Sequence, residues 1–258
     1  MTFILLGLLA HAVADFVFQP DNVVASKRRS KLRGYVQHGV VVFVCHAVAF
    51  HLYGLRAAVF LGVGISFVHV AIDWLKTLAH SGLSPMKSLG VFVADQLAHG
   101  VTILAAWEAI HVEIPDGPVL FYRNVLLPET VASLAPAWTA LGVSLDRALV
   151  IVVAYVLVIF GGATFVRQVL DAFCAGVEPR LATSAGRYIG MAERTLMLTL
   201  VFVNAFSSLA FVLTAKSLAR FQELNDMRFA EYYLVGTLTS ASVALVTGIA
   251  ARAVLNLP

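Results

Sequence analysis

Residues 55–79 read LRAAVFLGVGISFVHVAIDWLKTLA. From Ala57 to Val68 the run holds no charged residue, and then His69, Asp73 and Lys76 follow within two turns of helix. A hydrocarbon core is spanned by about 20 mostly apolar residues in a helix, so the segment is long and apolar enough to cross one. A soluble surface helix would instead keep a polar face along its whole length.

Six further segments share this character: 2–18, 36–53, 88–110, 145–173, 188–215 and 229–254. Together the seven predict an all-α polytopic bundle of about seven transmembrane helices. Composition agrees, because 60% of the 258 residues are hydrophobic and 13% charged, against roughly 25% charged in soluble chains. A single soluble core of this size could not hide so much apolar surface. The net charge of +3 is small, and the basic residues are not interleaved with aromatics. Nucleic-acid binding is therefore not expected. Cys45 and Cys174 are far apart and form no CxxC pair, which speaks against a disulfide framework or a thiolate metal site. The apolar N-terminus lacks a basic leader and is broken by His11 and Asp15, so it reads as a retained first helix rather than a cleaved signal.

The chain is expected to divide into a four-helix membrane unit over 1–110, an extracytoplasmic loop over 111–144 and a three-helix membrane unit over 145–258. The loop carries Pro115, Pro118, Pro128 and Pro136, with Tyr122 and Trp138 suited to a membrane interface. Gly54 offers the turn of a helical hairpin. Lys27, Arg28, Arg29, Lys31 and Arg33 form a basic loop without an acid, which marks the cytoplasmic side. Alternation then puts the N-terminus outside and the C-terminus inside. Lys216, Arg220 and Arg228 fit that alternation least well.

A charge in the middle of a membrane helix costs at least about 2.5–3.5 kcal/mol. The first four helices nevertheless hold His11 and Asp15, His38 and His46, His69 and Asp73 with Lys76, and Asp95, Gln96 and His99. Three His/Asp pairs are spaced i, i+4, which stacks both side chains on one helix face. Helices one and three read His-x-x-x-Asp, whereas helix four, running the opposite way, reads Asp-x-x-x-His. The reversal puts every Asp at one depth, one turn nearer the cytoplasm, and every His at the next. His38 falls at the aspartate level.

Imidazole nitrogen and carboxylate oxygen are the usual non-thiolate ligands of zinc, iron and manganese, and helical bundles build metal sites from such inward-facing groups. His11, Asp15, His38, His69, Asp73, Asp95 and His99 are the candidate ligands for one or two divalent ions, zinc foremost. Some of the carboxylates would orient imidazoles instead of binding metal. One of Asp15, Asp73 and Asp95 would instead serve as general base, with Asp73, Asp95, Lys76 and Glu193 the catalytic candidates. The bland alternative is that each pair is an interhelical hydrogen bond. His46 is either a ligand or a core histidine, while His51, His80 and His111 read as interfacial. Gln19 and Asp21 read as a turn at the cytoplasmic mouth. Lys216, Ser217 and Arg220 read as a snorkelling patch.

The segment His11-Ala-Val-Ala-Asp15-Phe16-Val-Phe-Gln19 resembles the opening of a bacterial membrane family known only as a domain of unknown function, number 3307. The resemblance runs on through His38, His69-Val-Ala-Ile-Asp73-Trp-Leu-Lys76 and Asp95-Gln96-Leu-Ala-His99. It extends to Gly186-Arg-Tyr-Ile-Gly190-Met-Ala-Glu193-Arg194, to Ala215-Lys216-Ser217-Leu-Ala-Arg220-Phe221 and to the stretch from Ala230 to Thr237. It implies a multi-pass protein of the bacterial inner (plasma) membrane and carries no activity with it. In residue types alone the His/Asp set is similar to membrane-bound metal-dependent hydrolases. The leading expectation is thus a metal-dependent hydrolase, its site in the cytoplasmic leaflet, acting on a lipid or amphiphilic substrate. A divalent cation or proton transporter is the alternative, and a haem-binding electron carrier the third.

Overall fold

The computed structural model describes residues 1–29, 31–80, 82–110, 144–174 and 184–257. Of the loop expected at 111–144, residues 111–143, with Tyr122 and Trp138, lie outside the described residues, as does His111. Every regular element described is helical. In chain order they are α1 (Thr2–Ala12), α2 (Asp21–Arg28), α3 (Leu32–Phe50), α4 (Leu55–His80), α5 (Pro85–Ala109), α6 (Leu145–Val156), α7 (Gly162–Phe173), α8 (Ser184–Phe202), α9 (Phe206–Ala219) and α10 (Met227–Leu255). A π-helical turn, Val13–Val17, prolongs α1, and another, Leu157–Gly161, joins α6 to α7.

Among the described residues, five helices are long and apolar enough to cross a membrane: Leu32–Tyr53, Leu55–Ala79, Pro85–Ala109, Leu145–Phe173 and Met227–Leu255. Their outward faces are apolar. Val36, Val40, Val44 and Val48 are exposed along α3, and Phe60 and Phe67 along α4. Only lipid accommodates such faces without penalty, so the chain is a helical membrane protein.

Two expected segments differ. The first, 2–18, is Thr2–Val17 followed by a 92° bend into α2, and the pair adds at most a sixth span. The turn expected at Gln19 and Asp21 is thus the entry to a helix, with extended Pro20 as its N-cap and Asp21 in its first turn. An acidic side chain there complements the helix dipole. The other is 188–215, which is broken between α8 and α9. Asn204 takes a left-handed φ of 61°, a conformation asparagine tolerates better than most residues. At the break Arg252 donates to the carbonyls of Val201 and Phe202 at 3.0 and 2.9 Å. The hairpin turn at Gly54 is present, with φ 92°. Asp226 caps α10, its Oδ1 accepting from the backbone of Arg228 and Phe229.

The described chain forms two compact units. The first comprises Met1–Ser81 with Ala94–Val153, the second Gly82–Val93 with Ala154–Pro258. In the first unit, buried residues recur every fourth position on four helices. They are Phe3, Gly7 and His11 on α1; His38, Val42, His46 and Phe50 on α3; Leu61, Ile65, His69 and Asp73 on α4; and Asp95, His99 and Ile103 on α5. That spacing keeps each set on one helix face. Phe3 stacks on Phe50 at 4.5 Å between centroids, with Tyr53 edge-on, and so closes the apolar end of the unit. A Cβ on Gly7 would meet Ile103 Cγ2 at 2.7 Å, so α1 and α5 approach closely there.

In the second unit, Arg194 on α8 is buried and donates to the carbonyls of Val158 and Ile159 at 2.8 and 2.9 Å. Those carbonyls belong to the π-helical turn, whose widened backbone leaves acceptors to fill.

Candidate metal centre

All seven candidate ligands meet in the first unit, at the end away from Phe3 and Phe50. Two layers are resolved. In the deeper one the rings of His69 and His99 stack at 3.9 Å, and His11 lies 4.8 Å from His99 and 5.4 Å from His69 between centroids. In the next, Asp15 and Asp73 flank His38, whose Nε2 is 3.2 Å from Asp15 Oδ1 and 3.6 Å from Asp73 Oδ2. His38 also touches the histidine layer, its Nε2 lying 2.9 Å from His69 Nε2.

The tightest convergence involves three atoms. His38 Nε2 and His69 Nε2 are 2.9 Å apart, and each is 3.2 Å from Asp15 Oδ1. In a tetrahedral site with metal–ligand bonds of about 2.0–2.1 Å, donor atoms sit about 3.3 Å from one another. The three atoms thus have nearly the spacing of one face of such a tetrahedron. Asp15 lies in the π-helical turn Val13–Val17, and such turns recur at functional sites.

Around this core the other groups have distinct partners. Asp73 Oδ2 accepts from Lys27 Nζ at 2.6 Å, a buried pair. Asp95 Oδ2 accepts from Lys76 Nζ at 2.7 Å and from Gln96 Nε2 at 3.0 Å. Because a carboxylate only accepts, the Gln96 amide nitrogen faces Asp95 and its oxygen faces His11. His11 Nε2 therefore carries the proton and donates to Gln96 Oε1 at 3.3 Å. The other ring nitrogen, Nδ1, lies 4.0 Å from Asp15 Oδ1. Asp95 Oδ1 and His99 Nε2 face each other at 3.5 Å.

Among the described residues His11 Nδ1, His38 Nδ1 and His46 Nε2 are buried without a hydrogen-bond partner, while Asp15 Oδ1 and Asp95 Oδ1 face histidine nitrogens alone, at 3.2 and 3.5 Å. Buried polar groups left unsatisfied cost about 1–3 kcal/mol each, so such a concentration marks a place built for something more. Three overlapping sets bring donor atoms within 4.8 Å of one another: His11, His69 and His99; Asp15, His38 and His69; Asp73, Asp95 and His99. The donor chemistry, all imidazole and carboxylate, fits a divalent transition metal.

His46 donates from Nδ1 to the Val42 carbonyl at 2.9 Å, and its ring lines a narrow crevice with His11, His69, His99, Ile65, Thr102 and Ile103. Glu193 belongs to the second unit, where it pairs with Lys216 at 2.6 Å beside Tyr233. Cys45 and Cys174 are unpaired thiols. Lys27 is the site residue that the sequence reading missed, since it was counted only as an orienting charge. Nothing in the sequence separates it from Arg28, Arg29, Lys31 and Arg33 of the same basic run.

Residues 2–127 match the family model described as "Protein of unknown function (DUF3307)". The match contains every residue of the cluster and stops short of the later blocks around Gly186, Ala215 and Ala230. Neither a curated protein nor a solved structure matches the chain.

Proposed function

We propose that the first unit is a membrane-embedded metal centre that holds one divalent ion, zinc foremost, on Asp15, His38 and His69, and that it works as a metal-dependent hydrolase. The observation that carries this reading is the triangle of Asp15 Oδ1, His38 Nε2 and His69 Nε2 with sides of 2.9 and 3.2 Å. Asp15 is also the one aspartate of the cluster paired with histidines alone, whereas Asp73 and Asp95 each hold a lysine ammonium. A bound ion of this kind acidifies water and polarises carbonyl or phosphoryl oxygens. Asp95 Oδ1, which faces His99 Nε2 at 3.5 Å, is placed to take a proton as general base. Lys76 is partly exposed and would meet an anionic group such as a lipid phosphate.

The same proposal includes the finer topology. The chain would cross the bacterial inner membrane about seven times, with the N-terminus outside, the C-terminus in the cytoplasm and the centre in the cytoplasmic leaflet. The basic run from Lys27 to Arg33 beside the centre supports that sidedness, and an amphiphilic or lipid substrate suits a site at that depth.

A cation or proton transporter has one observation in its favour, the 2.9 Å contact between His38 and His69. Against it, the polar ladder of the first unit stops at the Phe3, Phe50 and Tyr53 cluster. In the second unit the carbonyls at the α8–α9 break accept from Arg252, where a transporter's broken helix would coordinate an ion. Haem fits less well, because the stacked His69 and His99 rings leave no gap for a macrocycle.

The test is reconstitution of the full chain in liposomes with zinc. Chelator-sensitive cleavage of ester or phosphoester lipids supports the hydrolase. Zinc or proton flux without cleavage would replace it with the transporter.

A further inference from the structure

Lys27 is an unusual member of the cluster. It comes from α2, outside the longer helices, yet it is buried and its ammonium lies 2.6 Å from Asp73 Oδ2. Its position is built from several sides. Helix α2 rests on the bare face of Gly34, where a Cβ would meet Lys27 N at 2.8 Å and Ser26 Cβ at 2.9 Å. The Tyr35 hydroxyl donates to the Lys27 carbonyl at 3.3 Å. The carboxylate oxygen that Lys27 engages is also the one nearest the metal triangle after Asp15, at 3.6 Å from His38 Nε2 and 3.8 Å from His69 Nε2. Slightly shorter distances would make it the fourth corner of a tetrahedron.

Resting on the metal-centre reading above, we propose that Lys27 is a positioning residue that holds Asp73 off the ion, keeping the fourth coordination position open for an anionic ligand. Metal sites that do chemistry keep one position free, whereas four protein ligands make a closed, structural site. Charge supports the same assignment. Asp15, Asp73 and Asp95 against Lys27 and Lys76 leave one net negative charge, and one divalent ion turns that into one net positive charge. The centre would then accept a single anion, either hydroxide or the anionic group of a substrate. Without Lys27, Asp73 is unpaired and its carboxylate closes on the ion, which neutralises the set.

The experiment uses the full chain in detergent, stripped by chelator and loaded with Co(II), whose visible spectrum reports its coordination. Sodium azide is the probe anion. The wild type is expected to take up cobalt and to change spectrum on azide addition. Lys27→Met is expected to lose the azide response and to bind cobalt more tightly, by about tenfold or more in chelator competition. The double variant Lys27→Met with Asp73→Asn removes the carboxylate that would close the site, and the azide response is expected to return. Lys27→Gln replaces Lys27→Met if the latter does not reach the membrane. A wild type that binds no cobalt would sink the metal centre and this inference with it. A wild type that binds cobalt but ignores azide, or a Lys27→Met protein that still responds, would overturn the role of Lys27 alone.

Discussion

Gly34→Ala tests how firmly α2 is seated. A Cβ at that position would lie 2.8 Å from Lys27 N and 2.9 Å from both Cβ and Oγ of Ser26. The hydroxyl can rotate away, but the backbone nitrogen and the Cβ cannot. Relief to ordinary contact at 3.4 Å requires α2 to move by about 0.6 Å. The helix is tied at its far end by Lys27 to Asp73 and by its carbonyl to Tyr35, so that shift strains both bonds. Overpacking of this kind costs about 1–3 kcal/mol. For a domain of this size each kcal/mol lowers the midpoint by about 2–4 °C. The assay is thermal unfolding in detergent, with Gly64→Ala on α4 as reference. A Cβ at Gly64 meets nothing within 4 Å, and helix propensity alone favours Ala there by about 0.5–1 kcal/mol. Gly34→Ala melting at or above Gly64→Ala would refute the close seat of α2 and, with it, the built position of Lys27.

Arg194→Met strips the donors from the Val158 and Ile159 carbonyls. It should destabilise the second unit by about 1–3 kcal/mol per carbonyl left buried and unpaired, read as a lower midpoint in the same assay; an unchanged midpoint would contradict the staple. Asp226→Ala removes the cap of α10; faster hydrogen exchange over 227–230 is expected, for a loss of about 0.5–2 kcal/mol, and unchanged exchange would deny the cap its weight. Glu193→Gln breaks the pair with Lys216 and is expected to leave bound metal at the wild-type level; a loss of metal would bring Glu193 into the centre.

The His/Asp cluster was legible because helix geometry makes spacing informative. A four-residue interval fixes a face, and the reversed order on 95–99 is what antiparallel helices require if their side chains are to share a depth. The structure brings Asp15 and Asp73 to His38 and stacks His69 on His99. Less visible were departures from regular α-helix. The π-helical turn at Val13–Val17 has no distinctive residue, and the break at Asn204 sits inside an apolar run whose hydropathy gives no warning. Hydropathy reports transfer into lipid, not backbone hydrogen bonding, so it cannot see Arg252 taking over the freed carbonyls. Lys27 was hidden for a related reason. A lysine near a membrane boundary reads as an orienting charge, and only the fold-back of α2 turns it inward.

Metal content of the detergent-purified chain, by elemental mass spectrometry, tests the central claim most directly. Wild type is compared with Asp15→Asn and His69→Ala, each of which removes one corner of the triangle. The account predicts about one equivalent of zinc, iron or manganese per chain in the wild type, lost in both variants while the protein still inserts in the membrane. A wild type without metal under gentle purification, or variants that retain it in full, would contradict the metal centre and leave a proton-holding or purely structural His/Asp network in its place.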